Sequence, residues 1–290
     1  MNLRVRLVCQ WMPDSSQGCL GVLVTPATDG AKYPFVATQI DRYPDPLLPD
    51  AFSSPIPGYR GSKVTDMKVV AAQASKGGVG KSTTSIHLAV AAEAAGLTTA
   101  ILDLDPQASA AVWSDHRGEP VPAVVPAQAP RLRSLLRQAE AQGADLVLLD
   151  TPPRADSVAA EACLVADVVL VPCRPSALDL DAIAASLRLA RAADKPTYVV
   201  VNAAPPVGVE VSEMLAALEA AGVDAAPVVM HQRKAYATRM GEGRTATEHE
   251  PNGKAAAEVR ALLEWLLAVI GLPGEPASHL AGEHATAVAP

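Results

Sequence analysis

QASKGGVGKST, residues 73–83, is the stretch whose reading decides the fold. It ends an apolar run, KVVAAQA (68–74), that reads as a buried strand, and it leads into a helix predicted from about Ser82 to Ala95 and stopped by Gly96. Strand, glycine loop and helix in that order are the context a phosphate-binding loop requires. Gly77, Gly78 and Gly80 permit close approach and dihedrals that other residues avoid. The loop's backbone N–H groups and the helix N-terminus then make an anion site. Lys81 is placed to reach the β/γ-phosphates of a nucleotide, and the Ser82 hydroxyl to ligate Mg²⁺. Two residues depart from the pattern G-x-x-x-x-G-K-[ST]. Ser75 stands where it has its first glycine, and Lys76 is a lysine beyond what it needs.

Outward from the loop, strand-like runs recur at 98–105, 123–126, 145–150, 167–172, 197–202 and 226–230. Helix-like segments lie at 107–116, 130–142, 157–165, 179–193, 209–221, 233–240 and 254–270. This alternation builds βαβ units, so the expected fold is α/β: a P-loop NTPase-like three-layer sandwich, with a mostly parallel central sheet and helices on both faces. Two of the strands end in acids. DLVLLD (145–150) closes on Asp150, and an acid at such a tip beside a phosphate loop holds Mg²⁺, directly or through water. ILDLDPQAS (101–109) carries Asp103 and Asp105; either of them has the alternative of capping the next helix.

The chain falls into three zones. Residues 1–66 hold Pro13, Pro26, Pro34, Pro44, Pro46, Pro49, Pro55 and Pro57 without a sustained helical period, which reads as an irregular N-terminal extension. Residues 67–270 carry the alternating pattern, and 271–290 reads as a disordered C-terminal tail. Met67 sits one residue before the first strand, so the extension is either a dispensable arm or the product of an upstream start that the cell does not use. An abundant intact Met1 form in mass spectra of the native protein excludes the second account. The 290 residues are 49% hydrophobic and 19% charged, enough for a sizeable core, and the net charge of −7 marks no general nucleic-acid binder. Cys9, Cys19, Cys163 and Cys173 are too widely spaced for a Cys-x-x-Cys motif and are expected to be reduced thiols in a cytoplasmic protein. No segment has the ~18 apolar residues of a membrane span.

KGGVGKST, DLDPQAS and DTPP (150–153), in this order, resemble the deviant Walker A ATPases of the ParA/MinD superfamily. VPCRPSALDLDA (171–182), VVVN (199–202) and HQRKAYATRMGEGRTATE (231–248) are similar to its ParA partition branch, especially the short ParF-like members. The resemblance covers about 67–270 and implies ATP and Mg²⁺ as ligands, bound by Lys76, Gly77, Gly78, Val79, Gly80, Lys81, Ser82 and Thr83. It implies that Lys76 crosses an ATP-bound homodimer to the neighbour's phosphates and that Asp105 positions the attacking water. Asp103 and Asp150 would support the metal through water, and Asn202 would contact adenine or, failing that, serve as a turn residue.

What the resemblance implies for function is a slow ATPase that switches dimerisation and nonspecific DNA binding in plasmid partition. A small centromere-binding, ParB-type protein would stimulate it, and the ATP-bound form would associate with the nucleoid. The alternative is a related positioner whose cargo is a chemotaxis array, a microcompartment or a conjugation complex. A DNA surface must be cationic, and residues 231–244 carry Arg233, Lys234, Arg239 and Arg244 against Glu242 alone, a local charge of +3. Lys254 and Arg260 on the last helix would extend that patch; the competing reading is an ordinary solvated face. A membrane-anchored switch would end in a basic amphipathic helix, which 254–270 does not provide after Arg260. An iron–sulfur reductase would need paired cluster cysteines in glycine-rich surroundings, which Cys163 and Cys173 lack.

Overall fold

The computed structural model describes residues 66–153 and 156–273. The expectations for the N-terminal extension and the C-terminal tail therefore fall outside the described residues, except at their inner ends.

The chain runs β1 (Lys68–Ala72), α1 (Lys81–Ala94), β2 (Thr99–Asp103), α2 (Ser109–Arg117), β3 (Ala123–Pro126), α3 (Leu132–Ala141), β4 (Leu146–Asp150) and α4 (Asp156–Val165). It continues through β5 (Val168–Cys173), α5 (Ala177–Ala192), β6 (Thr197–Val201), α6 (Glu210–Ala220), α7 (Ala235–Thr238), α8 (Ala246–His249) and α9 (Lys254–Ile270). All six strands are parallel, in the order β3-β2-β4-β1-β5-β6. The strands are apolar on both faces because both are covered. Val69, Ala71, Val147, Leu149, Val169 and Val171 face one layer, with Leu135 of α3, Cys163 of α4, Ile183 of α5 and Met214 of α6. Their neighbours Val70, Leu146, Leu148, Val168 and Leu170 face the other, against Ile86 of α1, Trp113 of α2 and Val259, Leu262 and Leu266 of α9. Burying each such aliphatic side chain contributes about 1.5–3 kcal/mol.

Helix α1 shows how local signals set boundaries. Gly96 takes φ +88°, so the Leu97 N–H reaches Ala92 O at 3.0 Å and the Gly96 N–H reaches Glu93 O at 2.9 Å. That is a Schellman stop, and it turns the chain directly into β2.

The sequence pattern misplaced three elements. The apolar run 226–230 is no strand: Pro227 lacks a donor, and the bonds from the Ala226 N–H to Val199 O at 2.8 Å and from the Met230 N–H to Val201 O at 2.9 Å give only the isolated bridges Val199–Ala225 and Ala204–His231 at its flanks. The helix expected over 233–240 shrinks to α7, followed by a 3₁₀ turn at Met240–Glu242 that ends at Gly243. The helix expected from 107 begins at Ser109, because the preceding residues form a loop organised by Asp103 and Asp105.

Candidate nucleotide site

Topology brings the motifs together. Strand β1 lies between β4 and β5, and its partner Asp150 stands in register with both Ala72 and Asp103. The loop after β1 and the acids of β2 and β4 thus share the C-terminal rim of the sheet, where open α/β sheets bind ligands.

In the loop, Gly78 (φ +73°) and Gly80 (φ +97°) adopt left-handed backbone, and Gly80 opens α1 by accepting the Thr84 N–H at 2.8 Å. Lys81 is the first residue of α1 and is only 6% exposed; its Nζ lies 3.5 Å from Lys76 O. Burial draws its pKa below the ordinary lysine value, while Asp150 and Asp105 favour the charged form. Ser75 has a partner of its own: its N–H and its Oγ lie 3.0 Å and 3.2 Å from the Oγ of Ser186 on α5. The residue in place of glycine fastens the loop's entrance to a helix. Among the expected phosphate-side residues, Val79 is buried, while Lys76, Ser82 and Thr83 are half-buried and Gly77 is exposed.

The three acids differ. Asp150 is fully buried, and neither carboxylate oxygen makes a well-formed hydrogen bond. Burial raises its pKa to about 7, although the nearby Ser82 hydroxyl and the Lys81 charge hold it back. A cation, or the water on one, would satisfy those oxygens, so the residues present fit Mg²⁺. Among the described residues no three His, Cys, Asp or Glu side chains form a metal cage, and a nucleotide-bound Mg²⁺ keeps several waters instead. Asp103 is committed to its loop. Its Oδ1 accepts the Asp105 N–H at 3.1 Å, and its Oδ2 accepts Ala110 and Ala111 N–H at 3.0 and 3.1 Å, capping α2. Asp105 accepts the Gln107 N–H at 2.9 Å and stays half-exposed at the rim.

Beside the loop opens a cleft of about 180 Å³. Asn202 lines it and grips the loop, donating from Nδ2 to Val79 O at 2.7 Å. A Cβ on Gly80 would lie 2.1 Å from that Nδ2. Arg174, which had no assigned role in the sequence, lines the same cleft and donates to Gly78 O. Deeper in, His87 of α1 lies with its Nδ1 2.8 Å from Thr83 O, and its Nε2 accepts the Ala246 N–H at 3.2 Å. That second bond requires an unprotonated Nε2, and burial takes the pKa of His87 down to about 4.

The basic residues of 231–260 do not form one free patch. Arg233 lines the cleft and bonds Glu258 through Nε at 3.0 Å and Nη2 at 2.6 Å. Arg239 pairs with Glu242 at 2.6 Å, and Arg260 donates to Pro251 O at 2.6 Å. Lys234, Arg244 and Lys254 remain exposed. Sequence reading also passed over Arg117, whose guanidinium bonds Glu248 at 2.8 and 3.1 Å, Gly243 O at 3.0 Å and, through Nε, Val121 O at 2.7 Å. A side chain at Gly243 would strike the backbone of Arg117. The one local signal here was T-x-x-E (245–248), a capping box that opens α8.

A phosphate loop at a strand-to-helix turn, with a buried lysine and a buried acid on the neighbouring strand, defines a P-loop nucleotide-binding domain. Residues 70–246 match the family model described as the CobQ/CobB/MinD/ParA nucleotide binding domain. The chain belongs to this family. Over 116 residues it is 45% identical to maintenance of carboxysome distribution protein A of Gloeobacter kilaueensis, covering 39% of this chain and 52% of that protein. Over 125 residues it is 34% identical to protein ParA of Rhizobium radiobacter, covering 42% and 56%. The chain thus spans about half the length of these two relatives. The septum site-determining protein MinD of Pyrococcus horikoshii, solved with Mg-ADP, shares the fold at a TM-score of 0.56 and 18% identity, covering 71% of this chain and 98% of that one. No helix among the described residues is long and apolar enough to cross a membrane.

Proposed function

We propose that the chain is a ParA-type ATPase that dimerises on ATP, holds nonspecific DNA in that state, and releases it when a ParB-type partner stimulates hydrolysis. The observation that carries this reading is the pairing of Lys81, buried at the loop, with Asp150, buried beside it with neither oxygen in a well-formed hydrogen bond. The likeness to a ParA supports a plasmid as cargo, and the likeness to a carboxysome distribution protein supports a protein compartment equally.

In this mechanism the loop's N–H groups and Lys81 bind the β/γ-phosphates of ATP. Mg²⁺, held by Ser82 and through water by Asp150, would neutralise charge on the phosphate oxygens. Asp105, half-exposed at the rim, orients the attacking water, and Asp103 keeps that loop in place through its three N–H bonds. Lys76 reaches the partner protomer's phosphates. A trans arginine doing the same for other NTPases contributes about 10³–10⁵ in rate.

The test is ATP turnover and DNA co-sedimentation for the wild type, Lys76→Ala and Lys81→Ala. Lys81→Ala should lose nucleotide binding, and Lys76→Ala should keep binding but lose turnover. A wild type that fails to hold DNA with ATP overturns the DNA-anchored reading.

A further inference from the structure

Glu258 of α9 is 13% exposed and gathers five hydrogen bonds from one short segment. Its oxygens accept the His231 N–H at 3.1 Å and His231 Nδ1 at 2.8 Å, Arg233 Nε and Nη2 at 3.0 and 2.6 Å, and the Tyr236 hydroxyl at 2.7 Å. All three partners line the cleft beside the phosphate loop, a cleft whose lining includes neither Lys81 nor Asp150. Helix α9 does not need this cluster for its own docking. Val259, Leu262, Leu263 and Leu266 already bury its apolar face in the core. What the carboxylate holds is the segment: without it, the arginine and the histidine on the cleft wall lose the group that fixes their geometry.

We propose that Glu258 is a positioning residue for the nucleoside half of the ligand. It fixes the wall of His231, Arg233 and Tyr236 against which base and ribose rest, while the loop alone takes the phosphates. The inference rests on the reading of this cleft as a nucleotide site. It moves Arg233 from a DNA contact to a ligand-side wall and gives α9 a direct tie to site occupancy.

A fold staple would weaken every ligand alike, whereas a positioning residue separates nucleoside from phosphate binding. The experiment is isothermal titration of the full chain, with Mg²⁺, using ADP and inorganic pyrophosphate as probes. Glu258→Gln, which keeps size but loses charge, should weaken ADP about tenfold, the worth of one charge-assisted hydrogen bond. Pyrophosphate should stay within about twofold. Glu258→Asp should recover part of the ADP affinity, and Arg233→Met should show the same split if Glu258→Gln fails to fold. Unchanged ADP affinity, or an equal loss for both probes, overturns the proposal. A wild type that binds neither probe overturns the nucleotide reading beneath it.

Discussion

His87 gives the sharpest test of the described geometry. It is 1% exposed in the middle of α1, and both ring nitrogens are committed, to Thr83 O and to the Ala246 N–H. The groups facing it are the ring of Tyr236, edge-on at 5.2 Å, and the charge of Glu248. Its pKa is about 4 in the fold against an ordinary 6.5, so the unfolded chain takes up the proton first as pH falls. The histidine's stability contribution is therefore complete above pH 6.5 and is lost between 6.5 and 4. At 1.36 kcal/mol per pH unit that loss is about 3 kcal/mol. Glu93 and Asp150 oppose it: burial raises both to about 7, so they favour the fold as pH falls. Wild type alone thus blurs the effect, and the comparison with His87→Gln isolates it, since the carboxylates are common to both proteins. Urea unfolding at pH 7 and pH 4 should show the wild-type advantage over His87→Gln shrinking by about 3 kcal/mol. A difference that stays constant across that range refutes the buried, neutral histidine.

Two further outcomes follow from the loop and the surface. Gly80→Ala forces a left-handed backbone on alanine and drives a methyl into Asn202, so stability should fall by about 2–3 kcal/mol and ADP affinity with it. Adding Asn202→Ala relieves the clash but not the dihedral, and calorimetry should show only partial recovery. With Arg233 and Arg239 paired to carboxylates, Lys234→Glu combined with Arg244→Glu should weaken ATP-dependent DNA binding and lower its salt slope by about 2. An unchanged slope places the DNA surface elsewhere.

The parts of the site that were legible in sequence are those whose signals are local. An apolar run ending in an acid placed Asp150, and three glycines before a lysine placed the loop. Ser75 and Ser186 are 111 residues apart, and Arg117 and Glu248 are 131 apart. Neither pair leaves a pattern in the chain, because tertiary packing alone brings them together. The +3 count over 231–244 missed the pairing of Arg233 for the same reason, since Glu258 lies 25 residues beyond it. Pro227 and the T-x-x-E that opens α8 are local signals, readable in the chain and passed over beside an apolar and a basic run. Asp103 turned out to be the helix cap that sequence had left open beside the metal role.

The central claim is a site completed by a second copy of the chain, with Lys76 as the residue that crosses. Sedimentation velocity of Asp105→Ala, which should bind ATP without consuming it, addresses this directly. The account predicts a dimer with ATP and Mg²⁺, a monomer with ADP, and a monomer in both when Lys76→Ala is added. An Asp105→Ala protein that binds ATP and remains a monomer contradicts it.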